Sequence, residues 1–352
     1  MEQRTGGQNG QISFVKTALR LILLLLGLGL FGWFIHRAGP AEIWANVQKL
    51  GWLAPVILLP YLVVYLLDTW GWYLAFGKYA PVKPRFWTLF RVRWAGEAVN
   101  NVIPSGYVGG EAVKAYLLHK RGVAGLTCGT SVVASKTCQV IAQVAFIGLG
   151  ALLGMIMLPA DSGARRGMMV ITVAAFGVVV LLLLLQRRGM FSTVQAVLKK
   201  FSIRLKRLKK HEANFRKLDD QIYQFYHSDR WRFFQTTFVY FLGWLADALE
   251  IYVVCYLLGL PLSVAEAITI EAFISVAKAM GIFVPAALGV QESGVVLLFK
   301  IFALPAPIAV TYAILRRGRE LFYVVVGGIL LYTEEASLKR TLEHAAQEAR
   351  PE

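Results

Sequence analysis

Two segments interrupt the long apolar runs of this chain in the same way: PSGYVGGE at 104–111 and PAALGVQE at 285–292. In each segment a proline stands seven residues before a glutamate, with glycine or alanine between them. Proline lacks a backbone donor and ends a helix, whereas glycine permits tight turns. Each segment is therefore predicted to break a helix and to let a second one begin near Gly110 or Val290.

The composition around both breaks is that of a membrane protein. The 352 residues are 57% hydrophobic and only 16% charged, and a soluble chain of this length needs more charge to cover its surface. Several apolar runs reach the roughly 20 residues that span a bilayer core. The first run, at about 15–35, is too long for a signal peptide and no cleavage site follows it, so a retained helix is predicted.

The apolar runs and the breaks predict an order of elements. The stretch 86–121 starts and ends with basic residues and is too polar to span, which favours a re-entrant hairpin with both ends in the cytoplasm. The second broken stretch, 264–300, is interpreted as another hairpin. Spanning helices are predicted at about 15–35, 52–76, 125–158, 167–186, 233–258 and 306–333.

The two breaks lie in two copies of one unit. An aspartate and a tyrosine five residues apart precede each break, and a basic residue follows each glutamate by 25 residues. Shared spacings in the same order indicate an internal repeat. The matched positions are Asp68, Tyr73, Glu111 and Lys136 in one copy and Asp247, Tyr252, Glu292 and Arg317 in the other.

Counting membrane crossings gives the copies opposite orientations. With a cytoplasmic N-terminus, repeat one (about 52–158) starts outside and repeat two (about 233–333) starts inside. We therefore expect an all-α polytopic membrane protein with inverted repeats, about six spanning helices plus two re-entrant helical hairpins. This domain would cover 1–335, with a cytoplasmic tail at 336–352. In such proteins the broken helices form the substrate site near the membrane middle.

The excess of 37 Lys and Arg over 21 Asp and Glu lies mainly beside the apolar runs, as the positive-inside rule requires. We therefore expect a bacterial-type inner membrane with both termini cytoplasmic, and no nucleic-acid partner. The basic stretch 187–232 carries apolar residues at helical spacing. It is interpreted as a cytoplasmic amphipathic segment on anionic headgroups, with a basic topogenic loop as the alternative.

Ionisable groups in hydrocarbon cost about 3 kcal/mol or more and are functional candidates. A helix that restarts at a break points free N–H groups into it, which suits a phosphate or carboxylate. The glutamates at the breaks either exchange partners or a proton during transport, or belong to a fixed ion-pair network. The predicted substrate-binding residues are Asn100, Asn101, Pro104, Gly106, Gly109, Gly110, Glu111, Lys114, Lys136, Lys278, Pro285, Gly289, Gln291, Glu292, Arg316, Arg317 and Glu320.

Several pairings are expected among these charges. Glu111 and Glu292 lie early in a helix, where they are expected to favour its dipole and to cap it. Pairing across the repeats with Lys136, Lys278, Arg316 or Arg317 is the alternative. Arg316 and Glu320, four apart, are expected to neutralise each other. Asp68 and Asp247 are interpreted as hydrogen-bonding nearby tyrosines or tryptophans, with a place in a cavity wall as the alternative. No HExxH, Walker A or paired His/Cys motif occurs, so no metal, cofactor or ATP hydrolysis is expected.

The runs GEAVNNVIPSGYVGGEAVKAYLL (96–118) and LGVQESG (288–294) resemble the lysylphosphatidylglycerol synthase transmembrane family, and the likeness extends over about 15–335. This flippase-like family includes the membrane half of bacterial aminoacyl-phosphatidylglycerol synthases. It also includes stand-alone members linked to hopanoid biosynthesis or polyprenol-linked sugars. Because the synthases carry an aminoacyltransferase domain that does not follow here, the resemblance implies a stand-alone, non-enzymatic member.

The resemblance implies a lipid translocase that moves a lipid with an anionic or otherwise polar headgroup between leaflets. Membrane lipids are then the partners, and Glu111, Lys114, Glu292 and the 316–320 cluster match the family's polar positions. Two other functions stay open: a membrane enzyme of lipid-linked sugar or phosphate metabolism, and a non-transporting partner of a lipid-biosynthetic enzyme that docks through 187–232.

Overall fold

The computed structural model describes residues 25, 29–77, 83–102, 108–187, 212–281 and 284–348. Every secondary-structure element in these ranges is helical. The helices are α1 (29–38), α2 (Pro40–Leu50), α3 (Leu58–Ala75), α4 (Phe86–Val102), α5 (Val108–Lys120), α6 (Gly125–Met157), α7 (Gly163–Arg187), α8 (Glu212–Ser228), α9 (Arg230–Leu257), α10 (Val264–Met280), α11 (Val290–Ile301) and α12 (Ala306–Glu348). Short 3-10 turns occupy Gly51–Ile57 and Pro285–Ala287.

The expectation of an all-α polytopic membrane protein is confirmed. Within the described ranges, four helical stretches are long and apolar enough to cross a membrane: Pro40–Ala75, Gly125–Met157, Gly163–Leu185 and Arg230–Leu257. Of the other two predicted spans, 15–35 lies mostly outside the described residues. The span predicted at 306–333 is the first part of α12, which carries charged side chains in its middle.

The two repeats meet along α3 and α9, which pack antiparallel. A Cβ added to Gly71 would lie 2.8 Å from the ring of Tyr240, and one added to Gly243 would lie 2.9 Å from a carboxylate oxygen of Asp68. Gly71 of α3 therefore faces Tyr240 of α9, whereas Asp68, three residues earlier in α3, faces Gly243, three residues later in α9. The two helices thus run in opposite directions at this contact. These helices occupy the same place in the two copies, so the copies run in opposite directions, as inverted repeats require.

The remaining helices of the repeats pack in matched pairs around this crossing. Each hairpin packs on itself, α4 on α5 and α10 on α11. Each hairpin also contacts the long helix of the other copy, since α4 packs on α12 and α10 packs on α6. Exchanging the two copies leaves these pairings unchanged, which is the pattern of a two-fold arrangement.

Both ends of the first hairpin reach one side chain, the buried Glu334 of α12. Its carboxylate lies 3.4 Å from Nε of Arg91, near the start of α4, and binds Arg121, just after α5. The α4–α5 hairpin thus begins and ends at the same part of the bundle. This is the geometry that the prediction of a re-entrant segment requires.

Part of the basic segment contacts protein. Ile222 and Phe225 of α8 are buried, and α8 packs mainly on α6. The apolar residues whose spacing predicts an amphipathic surface helix lie at 194–208, outside the described residues. Its placement on anionic headgroups stays a prediction for that part of the chain.

The two limbs of the first hairpin come into close backbone contact at Gly96 and Gly110. A Cβ on Gly110 would collide with the carbonyl oxygen of Gly96 and with the side chain of Asn100. The side-chain oxygen of Asn100 accepts a hydrogen bond of 2.7 Å from the N–H of Gly110. The glycine therefore permits both the close packing and the hydrogen bond that close the hairpin.

We predict that Gly110→Ala lowers the melting temperature of the purified protein in detergent. The added methyl group has no space, and overpacking of this kind costs about 1–3 kcal/mol. Gly148→Ala on α6 is the matched control, because nothing lies within 4 Å of its added Cβ. The control should melt at or above the wild-type temperature, and equal melting of the two variants would contradict the close approach.

Candidate functional site

A cavity of about 350 Å³ lies where α3 crosses α9, with walls from both repeats. Its volume falls within the range of small-molecule binding sites, about 300–1,000 Å³. Equal numbers of cationic and acidic side chains line it. They are Arg93, Lys136, Lys278 and Arg316, and Asp68, Glu97, Asp247 and Glu271.

The two copies contribute matched residues to this cavity. Tyr65 and Asp68 of α3 and Trp244 and Asp247 of α9 all line it. In each helix the aromatic residue precedes the aspartate by three positions, about one helical turn. The repeat therefore places one aromatic wall and one carboxylate on each side of the crossing.

An ion-pair network in repeat one, here called the first network, consists of Asp68, Arg93, Glu97, Glu111 and Lys114. Arg93 binds Asp68 and lies 3.7 Å from Glu97. The ammonium of Lys114 donates to Glu97 at 2.6 Å and to Glu111 at 2.9 Å. Lys114 is buried, so its charge is compensated by two carboxylates from α4 and α5.

Repeat two holds a more deeply buried group, the inner cluster, formed by Asp247, Glu250, Glu271, Arg316 and Arg319. Arg316 forms a two-point hydrogen bond with Glu271, at 2.7 and 2.8 Å. Arg319 lies 2.7 Å from Glu250. Asp247 is held more loosely, at 3.6 Å from Arg319 and 3.9 Å from Arg316.

An outer cluster of repeat two surrounds the second break and consists of Lys278, Gln291, Glu292, Arg317 and Glu320. Arg317 binds Glu292 and lies 2.5 Å from Glu320. Glu320 also accepts from Lys278 at 3.4 Å and from Gln291 at 3.3 Å. These contacts join the end of α10, the start of α11 and the middle of α12.

The second break itself is a compact turn. Ala286 and Ala287 have φ of 52° and 50°, in the left-handed region. Gly289, with φ of 79°, precedes α11, and its N–H donates to the carboxylate of Glu292 at 2.8 Å. Arg317 donates to the carbonyl of Ala286 at 2.8 Å. The turn is therefore held by the protein's own glutamate and arginine.

Of the predicted site residues, Lys136, Lys278 and Arg316 line the cavity. Pro104 and Gly106 lie outside the described residues. Asn101 donates back to the carbonyl of Glu97 within its own helix, at 2.9 Å. The others form the two breaks or the networks beside the cavity: Asn100, Gly109, Gly110, Glu111, Lys114, Pro285, Gly289, Gln291, Glu292, Arg317 and Glu320. That these residues contact a substrate stays a prediction.

The alternative that the break glutamates pair across the repeats is wrong. Glu111 binds Lys114, three positions later on α5, and Glu292 binds Arg317 of the same repeat. Residues three apart are neighbours on a helix. For the second pair, α12 packs back on α11, so the contact forms inside one copy.

Two further expectations are corrected. Arg316 and Glu320 do not neutralise each other: Arg316 binds Glu271, and Glu320 binds Arg317. Among the tyrosines and tryptophans that the structure describes, none hydrogen-bonds Asp68, because Arg93 and Gln139 occupy its carboxylate. Asp68 and Asp247 both line the cavity, as the alternative interpretation predicted.

Sequence reasoning missed several residues of the networks. Glu250 and Glu271 lie inside α9 and α10, and charges inside apolar helices are a signal in themselves. Arg93 and Glu97 lie in the basic stretch that was explained by topology alone. No sequence signal showed that α12 carries Arg319 to Glu250, because that contact joins distant parts of the chain.

The geometry agrees with a comparison with known families. The family model of the lysylphosphatidylglycerol synthase TM region matches residues 19–328. The chain belongs to this family. Searches of curated proteins and of solved structures gave no match.

The matched region of the lysylphosphatidylglycerol synthase TM family contains both breaks, all three networks and every charged residue of the cavity. Membership points to a function related to membrane lipids. The TM region is the non-catalytic part of these synthases. The expectation of a stand-alone member stays a prediction.

We predict that Arg316→Gln strongly destabilises the protein. Removing one partner of a buried pair leaves an uncompensated charge, at a cost of about 3–5 kcal/mol, here on Glu271. The double variant Arg316→Gln with Glu271→Gln should recover much of this loss. Stability is measured by thermal unfolding in detergent.

Arg91→Gln is the control for the Arg316→Gln measurement. The Arg91 side chain is 50% exposed, and Glu334 keeps Arg121 as a partner when Arg91 is replaced, so this change should cost no more than a surface pair contributes, about 0–1 kcal/mol. An Arg316→Gln protein that melts like the Arg91→Gln protein would mean that the Arg316–Glu271 pair does not stabilise the bundle.

Proposed function

We propose that this protein is a lipid translocase that moves a lipid with a polar headgroup between the leaflets of the plasma membrane. The observation that supports it is a charged cavity enclosed by two inverted repeats of apolar helices. A headgroup that crosses hydrocarbon needs polar partners in place of water. The cavity offers such partners, while the tails remain in the bilayer.

The sequence predicts that free N–H groups at the restarting helices bind the anion of the substrate. We propose the cationic residues of the cavity for this role instead. At the second break the N–H of Gly289 is occupied by Glu292, and at the first the N–H of Gly110 is occupied by Asn100. We assign the phosphate of the headgroup to the lysines of the cavity, Lys136 and Lys278. They line it from α6 and α10, one in each repeat.

The balanced lining favours a headgroup that is polar on several sides. Besides the four acidic and four cationic residues, the amides of Gln139 and Gln143 and the hydroxyl of Ser275 reach the cavity. Such groups satisfy the hydroxyls and esters of a lipid headgroup through hydrogen bonds. Large apolar residues on the outer surface, such as Phe234, Phe238 and Leu249 of α9, are exposed where tails would lie.

The inverted repeats supply a route for alternating access. In such proteins one repeat moves against the other around a fixed site. The ion pairs of the three networks join residues of the same repeat, so either copy can move without breaking them. The contacts between the copies include close approaches at glycine, such as Gly243 against Asp68, aromatic stacking of Trp94 on Tyr323, and a neutral hydrogen bond from Gln143 to Ser275.

The proposed topology follows from the charges at the ends of the first hairpin. Arg91 and Arg121 lie beside Glu334 at one end of the bundle. The positive-inside rule places this end in the cytoplasm. A partner enzyme of lipid biosynthesis would then reach the protein from this side, through the basic segment.

The test is lipid movement in proteoliposomes of defined composition. Fluorescent phospholipids with different headgroups are quenched in the outer leaflet, and the wild-type protein should accelerate exchange of at least one. The double variant Lys136→Gln with Lys278→Gln should slow exchange about tenfold or more, since a hydrogen bond to a charged group contributes about 1.5–3 kcal/mol.

Lys300→Gln is the matched control, because Lys300 lies exposed at the end of α11, away from the cavity. It should exchange lipid at the wild-type rate. Folded wild-type protein that moves none of the lipids faster than empty liposomes would refute the proposal. Recovery of chemically altered lipid would favour a membrane enzyme instead.

A further inference from the structure

The inner cluster of repeat two carries unequal numbers of acidic and basic groups. Asp247, Glu250 and Glu271 supply three carboxylates, and Arg316 and Arg319 supply two guanidinium groups. All five are at most 7% exposed. The sum, three negative and two positive charges, leaves one negative charge in excess.

The neighbouring networks are balanced and cannot supply the missing charge. In the outer cluster, two carboxylates face two cations: Glu292 and Glu320 with Arg317 and Lys278. On the other side of the cavity, three carboxylates face three cations. They are Asp68, Glu97 and Glu111 with Arg93, Lys114 and Lys136.

Asp247 is the carboxylate of the inner cluster with the longest ion-pair distances. Its Oδ1 has no hydrogen-bond partner among the described residues, and the nearest guanidinium nitrogens are 3.6 and 3.9 Å away. Glu271, in contrast, accepts two short hydrogen bonds from Arg316. The two oxygens of Glu250 also have no hydrogen-bond partner among the described residues, but one of them lies only 2.7 Å from Arg319.

Position also singles out Asp247. It is 7% exposed and lines the cavity, whereas Glu250 does not. Its counterpart in repeat one, Asp68, lines the same cavity but is bound by Arg93 and Gln139. The two-fold arrangement thus offers the cavity one aspartate with close partners and one, Asp247, that has only long ion pairs.

The groups nearest to Asp247 come from four helices, and Lys136 of α6 and Lys278 of α10 line the same cavity. From α9 and α10 the nearest groups are Glu250 and Glu271; from α12, Arg316 and Arg319; and from α3, across the cavity, Tyr61. The guanidinium of Arg319 lies 3.6 Å from the centre of the Tyr61 ring. The cations that form ion pairs with Asp247 are Arg316 and Arg319.

We propose that the inner cluster binds one exchangeable proton and that Asp247 is its site. An uncompensated buried charge is costly, and a carboxylate in such a place neutralises itself by taking up a proton. A hydronium ion in the cavity gives its proton to Asp247 and leaves as water, and release reverses this step. The neutral acid removes the excess charge without moving any ion pair.

A consequence for transport rests on the proposed function. Binding a proton next to the headgroup site links lipid movement to the proton gradient across the membrane. Intramembrane carboxylates serve as proton carriers in pumps and transporters. This link is tested apart from the proton site itself, so that the failure of one does not imply the failure of the other.

The proton site is tested by infrared difference spectroscopy on purified protein in lipid nanodiscs at neutral pH. The wild-type protein should show the carbonyl band of a buried carboxylic acid, and Asp247→Asn should remove it. The matched control is Asp68→Asn, at the corresponding position of repeat one, which should keep the band. Loss of the band in Glu250→Gln but not in Asp247→Asn would overturn the assignment.

Stability gives a second measurement that does not depend on the spectrum. Asp247→Asn leaves two carboxylates and two guanidinium groups, so it should melt within a few degrees of the wild-type protein. Asp68→Asn removes the partner of the buried Arg93 and should melt well below it. A large loss of stability in Asp247→Asn would mean that its ionised form is needed to compensate the arginines, which contradicts the proposal.

A third experiment separates a proton from another cation and from transport. Sodium added at constant pH should leave the carboxylic band unchanged, and a loss of the band on adding sodium would assign the site to the metal cation. In proteoliposomes that move lipid, an imposed pH gradient should change the rate for the wild-type protein and not for Asp247→Asn. Liposomes inactive for lipid leave the spectroscopic result standing and refute only the proposed function.

Discussion

The antiparallel crossing of α3 and α9 is the contact on which the rest of the structure depends. At its centre Gly243 lets the carboxylate of Asp68 approach, and Gly71 receives the ring of Tyr240. Because each helix begins one copy of the repeat, this contact sets the two copies in opposite directions. It also places Asp68 and Asp247 on the two sides of one cavity.

Buried charge is the second constraint. In a medium of low dielectric constant each ionised group needs a partner, and the networks provide partners inside the same repeat. Lys114 joins the limbs of the first hairpin, and Arg317 joins the second break to α12. The charges of the three networks are therefore compensated within each copy, whereas Arg91 and Arg121 reach Glu334 of α12 at the end of the first hairpin.

The two copies are alike in fold but not in charge. The aspartate of repeat one is bound by Arg93 from α4, whereas that of repeat two faces Arg316 and Arg319 from α12. Repeats that diverge in this way produce a site with two different ends. A lipid headgroup, whose own charges are distributed unevenly, is suited to such a site.

The sequence alone determined the membrane class and the matched breaks, because hydrophobicity, proline and glycine act locally, but it did not indicate the helix at Pro40–Leu50. It also indicated Lys136, Lys278 and Arg316, which stand out as charges in apolar helices. The ion pairs were decided by the tertiary structure: Arg316 reaches Glu271, and Arg319 reaches Glu250, only after α12 has packed against its neighbours. Spacing along the chain does not predict such contacts, since they depend on how distant helices cross.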